Sequence, residues 1–189
     1  MAHIGMKYVV AAPLKEDETY EDGFVVAKAI NFTGTPTANS VVLYADDGEA
    51  ETDRSIQNLG TSLNVDDVSL ENQGKLLGHT YTAASTGQTP TPEGLVIKND
   101  DVAPYVGMGF YKRRRKNNVT SFTVIWLCKV QNAAMTENAA TKGESVEFQT
   151  DTIEGTAYAL STGQIYEKHV FSTEAAAIAW LDDKAGISA

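Results

Sequence analysis

Three histidines, one cysteine and several acidic pairs are the residues of this chain whose types suit chemistry. His3, His79 and His169 are scattered, and none keeps ligand spacing with another or with Cys128, so the sequence builds no Cys/His metal centre. Cys128 sits in the most hydrophobic stretch without an adjacent base to hold it as thiolate, and reads as a small core residue. His79 follows a helix-stopping glycine and reads as structural or strand-starting. Gly107-Met108-Gly109 lacks the third glycine and the following helix of a phosphate-binding turn. Acidic pairs recur at Asp46–Asp47, Asp66–Asp67, Asp100–Asp101 and Asp182–Asp183. A calcium loop needs alternating oxygen ligands about a glycine and a closing Glu, which DDGEAETD approximates only loosely. No catalytic residue, metal ligand or cofactor is expected.

The run KRRRK, Lys112 to Lys116 with Arg113, Arg114 and Arg115 at its centre, is the one cluster that points toward an anion. It lies between two strand-like runs and is followed by Asn-Asn, so it reads first as a charged hairpin tip. If it makes a contact, an acidic protein surface fits better than DNA, because this same chain carries many carboxylates. An acidic loop on a neighbouring copy, Asp46 to Glu51, is such a surface.

Bulk composition bounds what can carry these residues. With 189 residues, 42% of them hydrophobic, the chain is long enough for one well-buried core and short for two. A formal charge of -10 argues against broad attraction to phosphate backbone or to an anionic membrane, since DNA binding relies on Lys and Arg displacing counterions. No apolar run approaches the ~20 residues needed to span a bilayer. The N-terminal MAHIGMKYVVAAPLKEDE makes a poor signal peptide. A single cysteine excludes an intramolecular disulfide framework and fits synthesis in a reducing cytoplasm.

Periodicity predicts a mainly β chain of about eight strands, a sandwich or barrel. Gly23 to Phe32 is a first strand, and the turn-rich TGTPTAN follows it. Val41, Leu43 and Ala45 alternate with polar neighbours, and Ile56 to Val65 forms the next strand. Between them Tyr44 to Ser55 is too acidic for a core and reads as an exposed hairpin loop turning at Gly48. Tyr105 to Lys112 pairs with Val119 to Asn132 through the turn RRRKNN. In the latter, Phe122, Val124, Trp126, Cys128 and Val130 share one face, with Ile125 and Leu127 on the other, which marks a central strand covered on both sides. Glu144 to Ala157 puts Val146 and Phe148 inward and Glu147, Gln149 and Asp151 outward, and Gln164 to Phe171 is a last strand. Ser69 caps a short helix, Leu70 to Leu77, stopped by Gly78. A second, Ala-rich helix follows Ser172 or Thr173 and docks through Ala177, Ile178, Trp180 and Leu181. The Thr/Pro-rich Thr80 to Gly94 is an excursion within a single domain spanning residues 1–189.

Four runs, in this order, carry a resemblance: YADDGEAETDRS at Tyr44, VDDVSLENQGKLLGH at Val65, APYVGMGFY at Ala103 and KGESVEFQTDTIEGTA at Lys142. Together they resemble the major tail proteins of long-tailed, non-contractile bacteriophages, and the likeness covers Ile4 to Tyr158. It implies a β-sandwich or barrel of the tail-tube type with a short flanking helix. It also implies a structural virion protein that forms rings, usually hexameric, stacked into a hollow tube. Phage DNA would cross the bore without specific binding. The partners it implies are other copies of the chain, the tail-tip complex, the tape-measure protein and the tail terminator, with no membrane and no cofactor.

By the same likeness Tyr44 to Ser55, carrying Asp46, Asp47, Glu49, Glu51, Asp53 and Arg54, reaches toward the adjoining ring. Leu70 to Leu77 packs outside the sheet or at a subunit seam. Glu147, Gln149 and Asp151 are the candidates for facing the lumen, where carboxylates would let DNA slide. The Thr80 to Gly94 excursion and the Ala-rich ending, Thr173 to Ala189, depart from the family pattern and read as local elaborations. Two alternatives share the fold class. One is the tube of a phage-tail-like bacteriocin or injection device. The other is a β-sandwich binding module, which would need an exposed aromatic platform from residues such as Tyr105, Phe110 and Tyr111.

Overall fold

The computed structural model describes residues 2–45, 48–86, 90–136 and 150–187. The strands begin with β1 (Ala2–Pro13), β2 (Phe24–Val25), β3 (Ala29–Ala38), β4 (Val41–Ala45), β5 (Gly48–Asp53) and β6 (Ile56–Val65). Helix α1 (Leu70–Leu77) follows, then β7 (Thr80–Thr82) and β8 (Gly94–Val96). The chain ends with β9 (Tyr105–Lys116), β10 (Val119–Thr136), β11 (Asp151–Tyr158), β12 (Tyr166–Phe171) and α2 (Glu174–Ala185).

The chain is mainly β, as the alternating runs predict, and one antiparallel sheet in the order β2-β1-β9-β10-β11-β6-β3 forms the body. β10 is its hub. One edge pairs with β9 from Val119 to Gln131, while the other pairs first with β12 through Phe122–Leu127 and then with β11 through Lys129–Thr136. The sheet curls so that Phe32 of β3 meets Phe110 of β9, their ring centroids 4.7 Å apart. Inside the curl lie Val9, Val106, Met108, Phe110, Ile125, Leu127, Leu63 and Ile153, all buried. Each such side chain, fully withdrawn from water, contributes roughly 1.5–3 kcal/mol. Helix α1 adds Leu76 and Leu77 to this core, and Asn132 donates to the Leu76 carbonyl at 3.3 Å.

The opposite face carries α2. Ala177, Leu181 and Ala185, one helical turn apart, bury against Val10, Val124, Trp126 and Cys128. Thr173 caps the helix by accepting from the Ala176 amide at 3.3 Å. Tyr8 donates to Asp182 at 2.7 Å and Tyr111 to Glu174, so two strands are tied to the helix by phenols. β10 is thus covered on both faces, as its double apolar pattern requires.

Several expectations change in detail. The N-terminal segment is a full strand, β1, whose alternation is broken by two register shifts where Gly5 (φ 77°) and Tyr8 (φ 58°) take left-handed backbone. The predicted strand from Gly23 to Phe32 is two strands with Val26–Lys28 between them, and the turn-rich TGTPTA continues β3. Val130 lies inside the curl with Leu127, not beside Cys128. Opposite Val106 and Met108, β10 has one residue too many between Leu127 and Val130, and that bulge flips the faces. The basic run is strand rather than turn: β9 extends through Lys116, and only Asn117 and Asn118 (φ 49° and 61°) join it to β10. Tyr44 to Ser55 is not one loop, because Gly48–Asp53 pairs with Val41–Ala45 as a separate two-stranded sheet. The Thr80 excursion is a small hairpin too, with β7 paired to β8.

Candidate assembly surfaces

β3 is the most exposed of the long strands. It is bonded to β6 along one edge, and of its ten residues only Ala29 and Phe32 are partly covered, with Ile30 53% exposed. At its end the Asn39 amide donates to the Ser55 carbonyl at 2.8 Å, and the chain leaves as the β4–β5 hairpin. The substantial contacts of β4 and β5 among the described elements are with each other. A lone two-stranded hairpin is marginal in water. Glu49, Glu51 and Asp53 lie on β5, and Arg54 is exposed at its end. Asp46 and Asp47 lie outside the described residues.

The second surface is the distal half of the β9–β10 hairpin. Arg113 and Arg115 are exposed, and Arg115 donates to the Asn118 side chain at 3.2 Å. Arg114 is half-buried on the alternate face with Lys112. Burial, and next the charge of Lys168 on β12, hold the Lys112 ammonium below the usual lysine range. Both lysines border a cleft of about 250 Å³ between Gly34, Pro36 and Ile56 on one side and β12 on the other, floored by Phe32, Ile125 and Leu127.

A third region surrounds α1. Its Ser69 accepts from the Asn72 amide at 3.3 Å and Gly78 closes it at φ 76°, as expected from the sequence. His79 meets Asp101 at 2.8 Å with side chains 15% and 12% exposed. Asp101 also accepts from the Lys98 amide at 2.9 Å, and that bond, then the one to His79, holds its carboxyl below the ordinary range. The pair fastens the segment after β8 beside α1. No sequence signal marks it, because the partners stand in unrelated loops. A hollow of about 570 Å³ opens here, lined in part by Gln73, Gln131 and Tyr158.

Other expected residues fall as follows. Asp151 shares the strand face of buried Ile153, not the outward face, and accepts from the Val68 amide at 3.3 Å. Glu147 and Gln149, with the inward Val146 and Phe148, lie outside the described residues. Cys128 is buried, and burial, with the nearby Glu167 charge, pushes its thiol up to about 11. Gly107 and Gly109 lie against Trp126, whose indole fills the space their missing side chains leave. Of the aromatic platform, Phe110 and Tyr111 are buried, and only Tyr105 is exposed, edge-on to Tyr158. Among the described residues no group of three or more His, Cys, Asp or Glu is placed to hold a metal ion. Among the described residues no helix is long and apolar enough to cross a membrane.

No protein-family model matches the chain, and no curated protein matches it. Among solved structures, an anti-feeding prophage cap described as the tube-terminating cap is similar over 92% of this chain and 93% of that one. Identity is 7% and the TM-score 0.49, and no function is carried across on that likeness.

Proposed function

We propose that this chain is a tail-tube protein: a structural virion component that assembles with copies of itself into stacked rings around a bore crossed by phage DNA. One observation supports it above the rest. β3 is ten residues long, bonded along one edge, and largely exposed on both faces. A long edge with no paired strand among the described residues, and so little buried surface, is a hazard in a free monomer and an asset where another copy completes the sheet. Repeating one such heterologous contact gives rings when the rotation closes and a filament when it does not. The family resemblance of the runs around Tyr44, Val65, Ala103 and Lys142 points the same way, and no catalytic role is assigned. In this reading the segment around Glu147 and Gln149 faces the lumen and the β4–β5 hairpin reaches a neighbouring subunit.

Negative-stain electron microscopy of the purified protein at rising concentration tests this, followed by a reconstruction that locates residues 147–151 relative to the bore. Rings or tubes are the expected result. Dispersed single particles at every concentration would remove the proposal.

A further inference from the structure

The cleft between β3, β6 and β12 has a composition that a closed monomer does not explain. Its floor is apolar, formed by Phe32, Leu59, Ile125 and Leu127, while Lys112 and Lys168 stand at its rim. Neither lysine is ion-paired among the described residues, and Lys168 lies over the Tyr166 ring at 4.9 Å. Burial at this rim, and next the like charge of Lys168, lowers the affinity of Lys112 for its proton. An arriving carboxylate offsets the repulsion between the two ammonium groups.

We infer that this cleft receives the acidic β4–β5 hairpin of a second copy of this chain. Charge complementarity selects the occupant: Asp46 to Asp53 holds Asp46, Asp47, Glu49, Glu51 and Asp53 with no cation among them. Apolar matter is present as well, since β4 reads Val41-Val42-Leu43-Tyr44. The hairpin belongs to a neighbour because the chain's own copy makes no substantial contact with the strands that border the cleft. A chain of net charge -10 repels its copies at long range, so a local contact of opposite sign gives association its orientation. The inference rests on the self-assembly reading and adds to it the docking site and the groups that meet there.

The test mixes equal amounts of nitrogen-14 and nitrogen-15 protein, assembles them, and joins carboxylates to amines with a zero-length carbodiimide. Peptides linking residues 46–53 to Lys112 or Lys168 and containing both isotopes are expected. Links only within one isotope, or only to other lysines, would overturn the proposal. In parallel, K112E/K168E should form at least tenfold less sedimentable assembly while melting like the parent. Adding E49K/E51K to the same chain should restore assembly. Parent and K112E/K168E assembling equally well would reject the docking site and leave the tube reading standing, whereas a parent that never assembles would reject both.

Discussion

At the scale of single residues, the pair Gly107 and Gly109 is read correctly only with the neighbouring strand in view. A Cβ at Gly109 would lie 2.5 Å from Trp126 Cε3 and 2.7 Å from Leu181 Cδ2, and one at Gly107 2.5 Å from both Trp126 and Tyr20. The glycines therefore seat an indole between β9 and α2 rather than cradle an anion. Gly109→Ala should lower stability by about 1–3 kcal/mol through overpacking. A urea titration with unchanged slope would register it. Gly94→Ala, where nothing lies within 4 Å, is the control and should stay within about 0.5 kcal/mol. A G109A midpoint equal to the parent's would discard this account. Cys128 follows the same logic: the burial that places it beside Trp126 also keeps its thiol protonated at neutral pH, so it lacks the thiolate a nucleophile needs.

At the scale of elements, the β9–β10 hairpin depends on its two asparagines. Lys116 pairs with Val119, leaving a two-residue connection with both residues at positive φ, the turn whose twist matches that of paired strands. Asparagine tolerates that backbone, while a β-branched residue does not. Replacing both with Val should cost about 1–2 kcal/mol per residue, whereas Asn118→Gly should leave stability within about 0.5 kcal/mol. Thermal melts distinguish the cases, and a Val pair melting with the parent would contradict the turn assignment. The placement also matters for assembly. Because the turn is so short, Arg113 to Lys116 are held in register on a paired strand rather than dispersed on a flexible loop.

At the scale of the whole molecule, depressed carboxyls set the acid limit of the fold. Asp101 is held down by the Lys98 amide and then by His79. Burial pushes Glu167 up, but Lys184 and His169 outweigh it and leave it lowered. A carboxyl depressed in the folded state stabilises it above the unfolded value of about 4, and that share is lost as pH falls through the folded value. Phenols act oppositely. Burial and the bond to Asp182 raise Tyr8 to about 12, so its contribution is complete below about pH 10 and fades as pH climbs toward that value. Urea midpoints should be level from about pH 5 to 9 and fall on both sides. Asp101→Asn should be less stable at pH 7 and lose less on acidification. Parallel pH profiles for variant and parent would exclude Asp101 as a contributor.

The order of elements was legible in one dimension wherever local chemistry decides it. Ile56–Val65 and Leu70–Leu77 appear with their expected bounds, because alternation, a serine cap and a stopping glycine act over a few residues. The coverage of β10 on both faces was legible for the same reason. Tertiary pairing decided the rest. Only the opposing β9 reveals the bulge that turns Val130 inward, only β6 holds TGTPTA as strand, and only the pairing of β9 and β12 to opposite edges of β10 brings Lys112 and Lys168 to one cleft. Hydrophobic pattern and turn chemistry specify which segments form. Register, face and cleft arise from hydrogen-bond partners distant in sequence, and no local pattern encodes them.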